Sequence, residues 1–163
     1  MATQKKPATK RPARKPKKVK RVTPESKAKI RRRLFRLWSA KVQALHGEKC
    51  AVSGIQRGES VNGAPAILDC HHLEDRVMCP ALRYDALNGI LLTKSHHKFG
   101  KNSAHKGAMW FGDWLRTNRP AQLAYVLEHR NDEIDLNNRD TLAAIEAKLR
   151  AEPTREELDV LGL

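Results

Sequence analysis

Two short apolar runs, "AILDCHHL" over residues 66–73 and "LNGILL" over residues 87–92, have the length and pattern of β-strands, and a polar loop containing Pro80 separates them. They predict one antiparallel hairpin. The next stretch, "KSHHKFG", predicts a short helix ended by Gly100. Strand, loop, strand and helix therefore form the centre of the chain. Every longer periodic segment outside it reads as helical, so the expected class is α+β.

Before the hairpin, Thr23 and Pro24 suggest a cap and a first helical residue. Ile30, Leu34, Leu37, Trp38, Val42 and Leu45 then recur at three- and four-residue spacing up to Gly47. The opposite face of this helix, over about 24–46, carries Lys27, Lys29, Arg31, Arg32, Arg33 and Arg36. From Cys50 to Pro65 the chain reads as turns, with "CAVSG" as a tight knuckle and "RGESVNGAP" as a loop. After residue 104 three helices are expected, over 104–117, over 120–130 opening on Pro120, and over 139–151 stopped by Pro153. Thr154 and Glu157 have capping-box spacing and start a final short turn.

At 163 residues and 40% apolar content the chain suits one domain with a modest core. Three cysteines, Cys50, Cys70 and Cys79, show no paired spacing, and the N-terminus lacks a secretory apolar stretch. A cytoplasmic, reducing setting is expected. No apolar run approaches the ~18 residues that span a bilayer, so no membrane partner is expected.

Charge is unevenly placed. Residues 1–36 hold sixteen of the 32 Lys and Arg and one acid, Glu25, a local balance of +15. The other 127 residues carry sixteen bases and seventeen acids, a balance of −1. Residues 1–22 interleave Pro with Lys and Arg and offer little to bury, which predicts a disordered basic arm ahead of a domain over 23–163. Such an arm attracts phosphate backbones without reading sequence, and salt weakens the attraction.

The histidines concentrate in the centre. Successive side chains of a strand face opposite ways, so His71 and His72 cannot share one side of the core. Asn88 follows sixteen positions after His72, and His97 nine after that. A hairpin can bring an imidazole from each end within reach of one ion, and imidazole suits transition metals better than it suits magnesium or calcium. His46, His105 and His129, each alone, read as structural histidines.

The arrangement of His71, His72, Asn88 and His97 resembles the HNH, or ββα-metal, endonucleases. The stretch "LRYDALNGILLTKSHHKFG" is similar to phage and homing members of that family. The likeness covers about residues 50–100. It implies a ββα-metal core over about 64–101, flanked by helices over about 24–46 and 104–161. It also implies His72 as general base, Asn88 as the residue bracing the loop and orienting that base, and His71 and His97 as metal ligands. One divalent ion would serve, Mg2+, Mn2+ or another transition metal such as Ni2+ or Zn2+, with no organic cofactor. If the gene is carried by a phage, the protein would act in the cytoplasm of a bacterial host.

Many members of the family carry a structural zinc on two Cys pairs. The corresponding positions here are Cys50, Ser53, Thr93 and His96, so no structural zinc is expected. Cys70 and Cys79 fall outside that pattern and read as ordinary thiols. Double-stranded DNA is the implied partner, with Arg31, Arg32, Arg33, Arg36, Arg83 and Lys98 as backbone contacts. The competing expectation is a non-catalytic nucleic-acid-binding or packaging protein whose histidines form a structural metal knot.

Overall fold

A Ser26 hydroxyl that accepts the Lys29 amide at 3.4 Å starts the first helix, α1, over Lys27–Leu45. The helix begins at Lys27 because the working cap is Ser26, and Pro24 lies outside the described residues. The structure is a computed structural model that describes residues 25–163. The basic arm over 1–22 and the Thr23 cap lie outside the described residues.

After α1 come β1 (Ser60–Val61), β2 (Ala64–Pro65), β3 (Leu68–His72) and β4 (Gly89–Thr93). The helices α2 (Ala108–Asn118), α3 (Pro120–His129), α4 (Arg139–Arg150) and α5 (Arg155–Leu161) complete the chain. The class is α+β, with two small antiparallel sheets. β3 pairs with β4 so that Cys70 faces Leu91 and His72 faces Gly89.

The period of α1 is realised as burial. Ile30, Leu34, Trp38, Val42 and Leu45 are buried and pack with Leu142, Leu149 and Leu161 from α4 and α5. Lys41 breaks the pattern, since it too is buried. Its ammonium is 2.8 Å from the Glu157 carboxylate and donates to the carbonyls of Ala151 and Glu152, so the charge is paired and hydrogen-bonded. Below α1 lies β4, whose Ile90, Leu91 and Leu92 are wholly buried. Cys50, Leu68, Phe111 and Leu115 complete the buried part of that second cluster.

Gly89 permits the close crossing of α1 over the hairpin. A Cβ there would lie 2.3 Å from Val42 Cγ2 and 3.1 Å from the Trp38 ring. Trp38 is pinned in turn by its indole N–H, which donates to the Asp85 carbonyl at 2.8 Å.

Residues 57–65, expected as a loop, form the β1–β2 hairpin. Asn62 and Gly63 both have positive φ, 52° and 80°, which is what a two-residue turn with the twist of a hairpin demands. Each strand has two residues, too few to leave a periodic pattern. The final turn is a full helix, α5, and its Thr154–Glu157 capping box is formed in both directions. No helix among the described residues is long and apolar enough to cross a membrane.

Candidate metal centre

The alternation of β3 sends Cys70 and His72 toward α1 and Asp69 and His71 to the other side. Cys70 Sγ lies 3.3 Å from the Ser39 hydroxyl, and the His72 ring stacks on Trp38 with centroids 3.8 Å apart. His71 meets different neighbours. Its ring lies 5.0 Å from that of His97 and 5.1 Å from that of His105, centroid to centroid. One nitrogen from each of His71, His97 and His105 lies within 4.8 Å of the others, a group that could hold a metal ion.

His97 reaches this position from a five-residue π-helical turn, Ser95–Phe99, that follows β4 directly. The Gly100 amide closes the turn by donating to the Ser95 carbonyl at 2.8 Å, and a Cβ at Gly100 would sit 2.8 Å from that same oxygen. His105 was expected inside a helix over 104–117. Instead α2 starts at Ala108, and the preceding chain folds back on the π-helical turn. The Ala104 amide donates to the His96 carbonyl at 2.8 Å and the His105 amide to the His97 carbonyl at 3.2 Å. Gly107 allows this return, because a Cβ there would lie 2.7 Å from the Lys101 carbonyl oxygen. That glycine, a poor helix residue just after His105, was the available signal.

Asp69 was also missed. Its Oδ2 is 3.2 Å from His97 Nδ1, so the ring donates Nδ1–H to the carboxylate and leaves Nε2 for a ligand. Its position two before His71, on the same strand face, is the sequence signal. Burial, then the nearby His97 and His105, push the His71 pKa down to about 3. Burial also lowers His97, against the opposing pull of Asp69. Both rings are therefore neutral at pH 7, the form that binds metal. Three nitrogens without a carboxylate ligand fit a transition ion better than Mg2+.

His72 and Asn88 lie outside the imidazole group. His72 Nε2 is 3.0 Å from the Arg83 carbonyl, which can only accept, so Nε2 carries the proton and Nδ1 is the basic nitrogen. Burial lowers its pKa. Asn88 is wholly buried. Its Oδ1 accepts the Glu74 amide at 2.8 Å, and its Nδ2 donates to the Glu74 and Leu82 carbonyls, both at 3.1 Å. The amide thus stitches the long loop between β3 and β4 to itself.

Elsewhere Cys50 and His96 come together, with Sγ 3.8 Å from Nδ1, and the Thr93 hydroxyl lies 3.0 Å from the same nitrogen. Burial tends to raise the Cys50 thiol, but hydrogen bonds from Ser53, Thr93 and Val52 outweigh it and leave the pKa lowered.

The predicted phosphate contacts divide. Arg31, Arg32 and Arg36 join Lys29, Arg76 and Arg83 around an open groove of about 880 Å³ that is also lined by the exposed Phe35 and by the buried Tyr84. Arg33 is not in it. That guanidinium is held by Glu25 at 2.5 Å and by Glu146 at 2.8 Å, which keeps it against α4. Lys98 is exposed on the turn that carries His97. Comparison of the chain with protein-family models, curated proteins and solved structures found no match.

Proposed function

We propose that this chain is a metal-dependent endonuclease of the HNH type, in which β3, β4 and the turn after them serve as the ββα-metal core. The observation that carries the reading is the convergence of His71, His97 and His105 at the end of that hairpin. The cationic groove on the neighbouring face supports DNA as substrate.

His71, His97 and His105 would hold one divalent transition ion, and Asp69 would keep His97 in the tautomer that offers Nε2. When bound there, the ion would supply charge neutralisation for phosphodiester hydrolysis. His72 serves as general base: Nδ1 takes the proton of the attacking water while Nε2–H stays on the Arg83 carbonyl. Asn88 fixes the loop that presents that carbonyl. Arg31, Arg32, Arg36 and Arg83 hold the strand by its phosphates, and Lys98 adds charge beside His97.

The test compares two single variants by calorimetric metal titration and by nicking of supercoiled plasmid across a series of divalent ions. His72→Ala should bind metal like the parent and cut ~10²- to 10⁴-fold more slowly. His71→Ala should lose metal affinity and activity together. Retardation of the plasmid without cutting under every ion would leave a non-catalytic DNA-binding protein with a metal knot. Cutting by His72→Ala at the parent rate would remove His72 from the mechanism.

A further inference from the structure

The loop between β3 and β4 carries a feature the metal centre does not use. At its tip Val77 is 64% and Met78 80% exposed, two adjacent apolar side chains in water. The backbone beneath them is tied down. Asp75 Oδ1 accepts the amides of Val77 and Met78 at 2.6 and 3.0 Å, and the Asp75 carbonyl accepts the Cys79 amide at 2.8 Å. Arg83 Nε donates to the Arg76 carbonyl at 2.8 Å, and Asn88 fastens the loop at Glu74 and Leu82. The fold holds these hydrophobes out on a braced stem.

Their surroundings choose the partner. Arg76 and Arg83 flank the tip and belong to the groove shared with Lys29, Arg31, Arg32 and Arg36, which no carboxylate lines among the described residues, while the Asp75 carboxylate beside the tip is held by the Val77 and Met78 amides. The Arg76 guanidinium sits over the Phe35 ring at 5.3 Å from its centroid. An apolar protein surface would meet a wall of cations here. A nucleic-acid duplex satisfies both features, with phosphates for the arginines and the faces of stacked base pairs for the apolar tip.

We propose that Val77 and Met78 form a wedge that enters duplex DNA from the minor groove and separates neighbouring base pairs, while Arg76 and Arg83 grip the flanking phosphates. This rests on the DNA-binding reading above and says how the duplex is deformed. The wedge is coupled to His72 through Arg83, whose carbonyl faces the imidazole and whose side chain ties the loop. The step that opens therefore lies next to the strand presented to that base. Burying the two side chains among unstacked bases offsets part of the cost of opening the step.

The experiment uses the full chain in chelator, so that no cutting intervenes. Duplexes carry 2-aminopurine at successive positions, and end-labelled duplexes report bending by energy transfer. The parent should raise 2-aminopurine emission several-fold at saturation and shorten the end-to-end distance. The Val77→Ser/Met78→Ser variant should abolish both signals and weaken duplex binding by about tenfold, with the salt slope unchanged because no phosphate contact is lost. Both positions are exposed, so its thermal midpoint should match the parent's. Val77→Leu/Met78→Leu, which keeps an apolar tip, should retain the signals. The proposal is overturned if the saturated parent neither brightens nor bends the duplex, if the serine variant behaves like the parent, or if the serine pair only abolishes self-association of the chain. Unstacking by a parent that leaves plasmid intact with every ion would keep the wedge and remove the nuclease reading. Cutting without unstacking would do the reverse.

Discussion

Which nitrogen His97 offers depends on one carboxylate that does not itself bind the ion. Asp69 accepts from Nδ1 at 3.2 Å, so Nε2 is the nitrogen left to bind an ion in the group formed with His71 and His105. An amide in its place can accept the same proton through its oxygen, but lacks the charge that raises the basicity of the ring. Asp69→Asn should therefore weaken metal affinity by about 10- to 100-fold without unfolding the chain. His105→Ala should weaken it as well, since it removes one of three nitrogens. Calorimetric titration with Ni2+ or Zn2+ reads both, and parental affinity in His105→Ala would leave the site to His71 and His97. His105 is exposed and follows the buried Ser103, so its replacement should cost little stability.

Helix α1 and the β3–β4 hairpin form the joint on which both faces of the molecule depend. One face of α1 packs on the hairpin through Trp38 and Val42, and the other contributes Lys29, Arg31, Arg32 and Arg36 to the groove. Gly89 is the contact that sets their separation, because the space for a Cβ is already taken by Val42 at 2.3 Å. Gly89→Ala should push α1 away and cost ~1–3 kcal/mol by overpacking, a fall of roughly 3–10 °C in thermal midpoint. Val42→Ala in the same chain should recover part of the loss by vacating the clash. Thermal unfolding of the parent, the single variants and the double variant measures this, and an unchanged midpoint for Gly89→Ala would show that α1 adjusts freely.

Global stability should respond to acid through a group remote from the metal centre. His46 is buried at the end of α1, with Nε2 3.4 Å from the Gly89 carbonyl, and burial lowers its pKa from 6.5 to about 4. The folded state thus binds its proton less readily than the unfolded state does. The stability from keeping it neutral is complete above pH 6.5 and is lost as pH falls from 6.5 toward 4. The loss is on the order of 3 kcal/mol for this group. His46→Gln cannot titrate, so its unfolding free energy should fall less over that window, and denaturant unfolding at both ends of the window checks it. Equal falls in parent and variant would place the acid sensitivity elsewhere.

Patterns that repeat within one element were legible in the sequence. The three- and four-residue spacing of Ile30, Leu34, Trp38, Val42 and Leu45 reports one buried face, and the Thr154–Glu157 pair reports a cap, because both are set by geometry a few residues long. The hairpin pattern said only that an imidazole from each end could meet, and the choice of His71 and His97 came from the likeness to the HNH endonucleases; the structure brings both into the group with His105. What the fold alone decided depends on chain segments brought together from a distance. Asp69 and His105 joined the site because a strand face and a returning loop meet there, and no local pattern encodes that meeting. Arg33 stands apart from the groove because Glu146, 113 residues away, holds its guanidinium against α4. Lys41 was drawn into the core of an amphipathic helix by Glu157 and two helix-end carbonyls. A charge is buried only where partners wait for it, and the position of those partners is a property of the packed molecule.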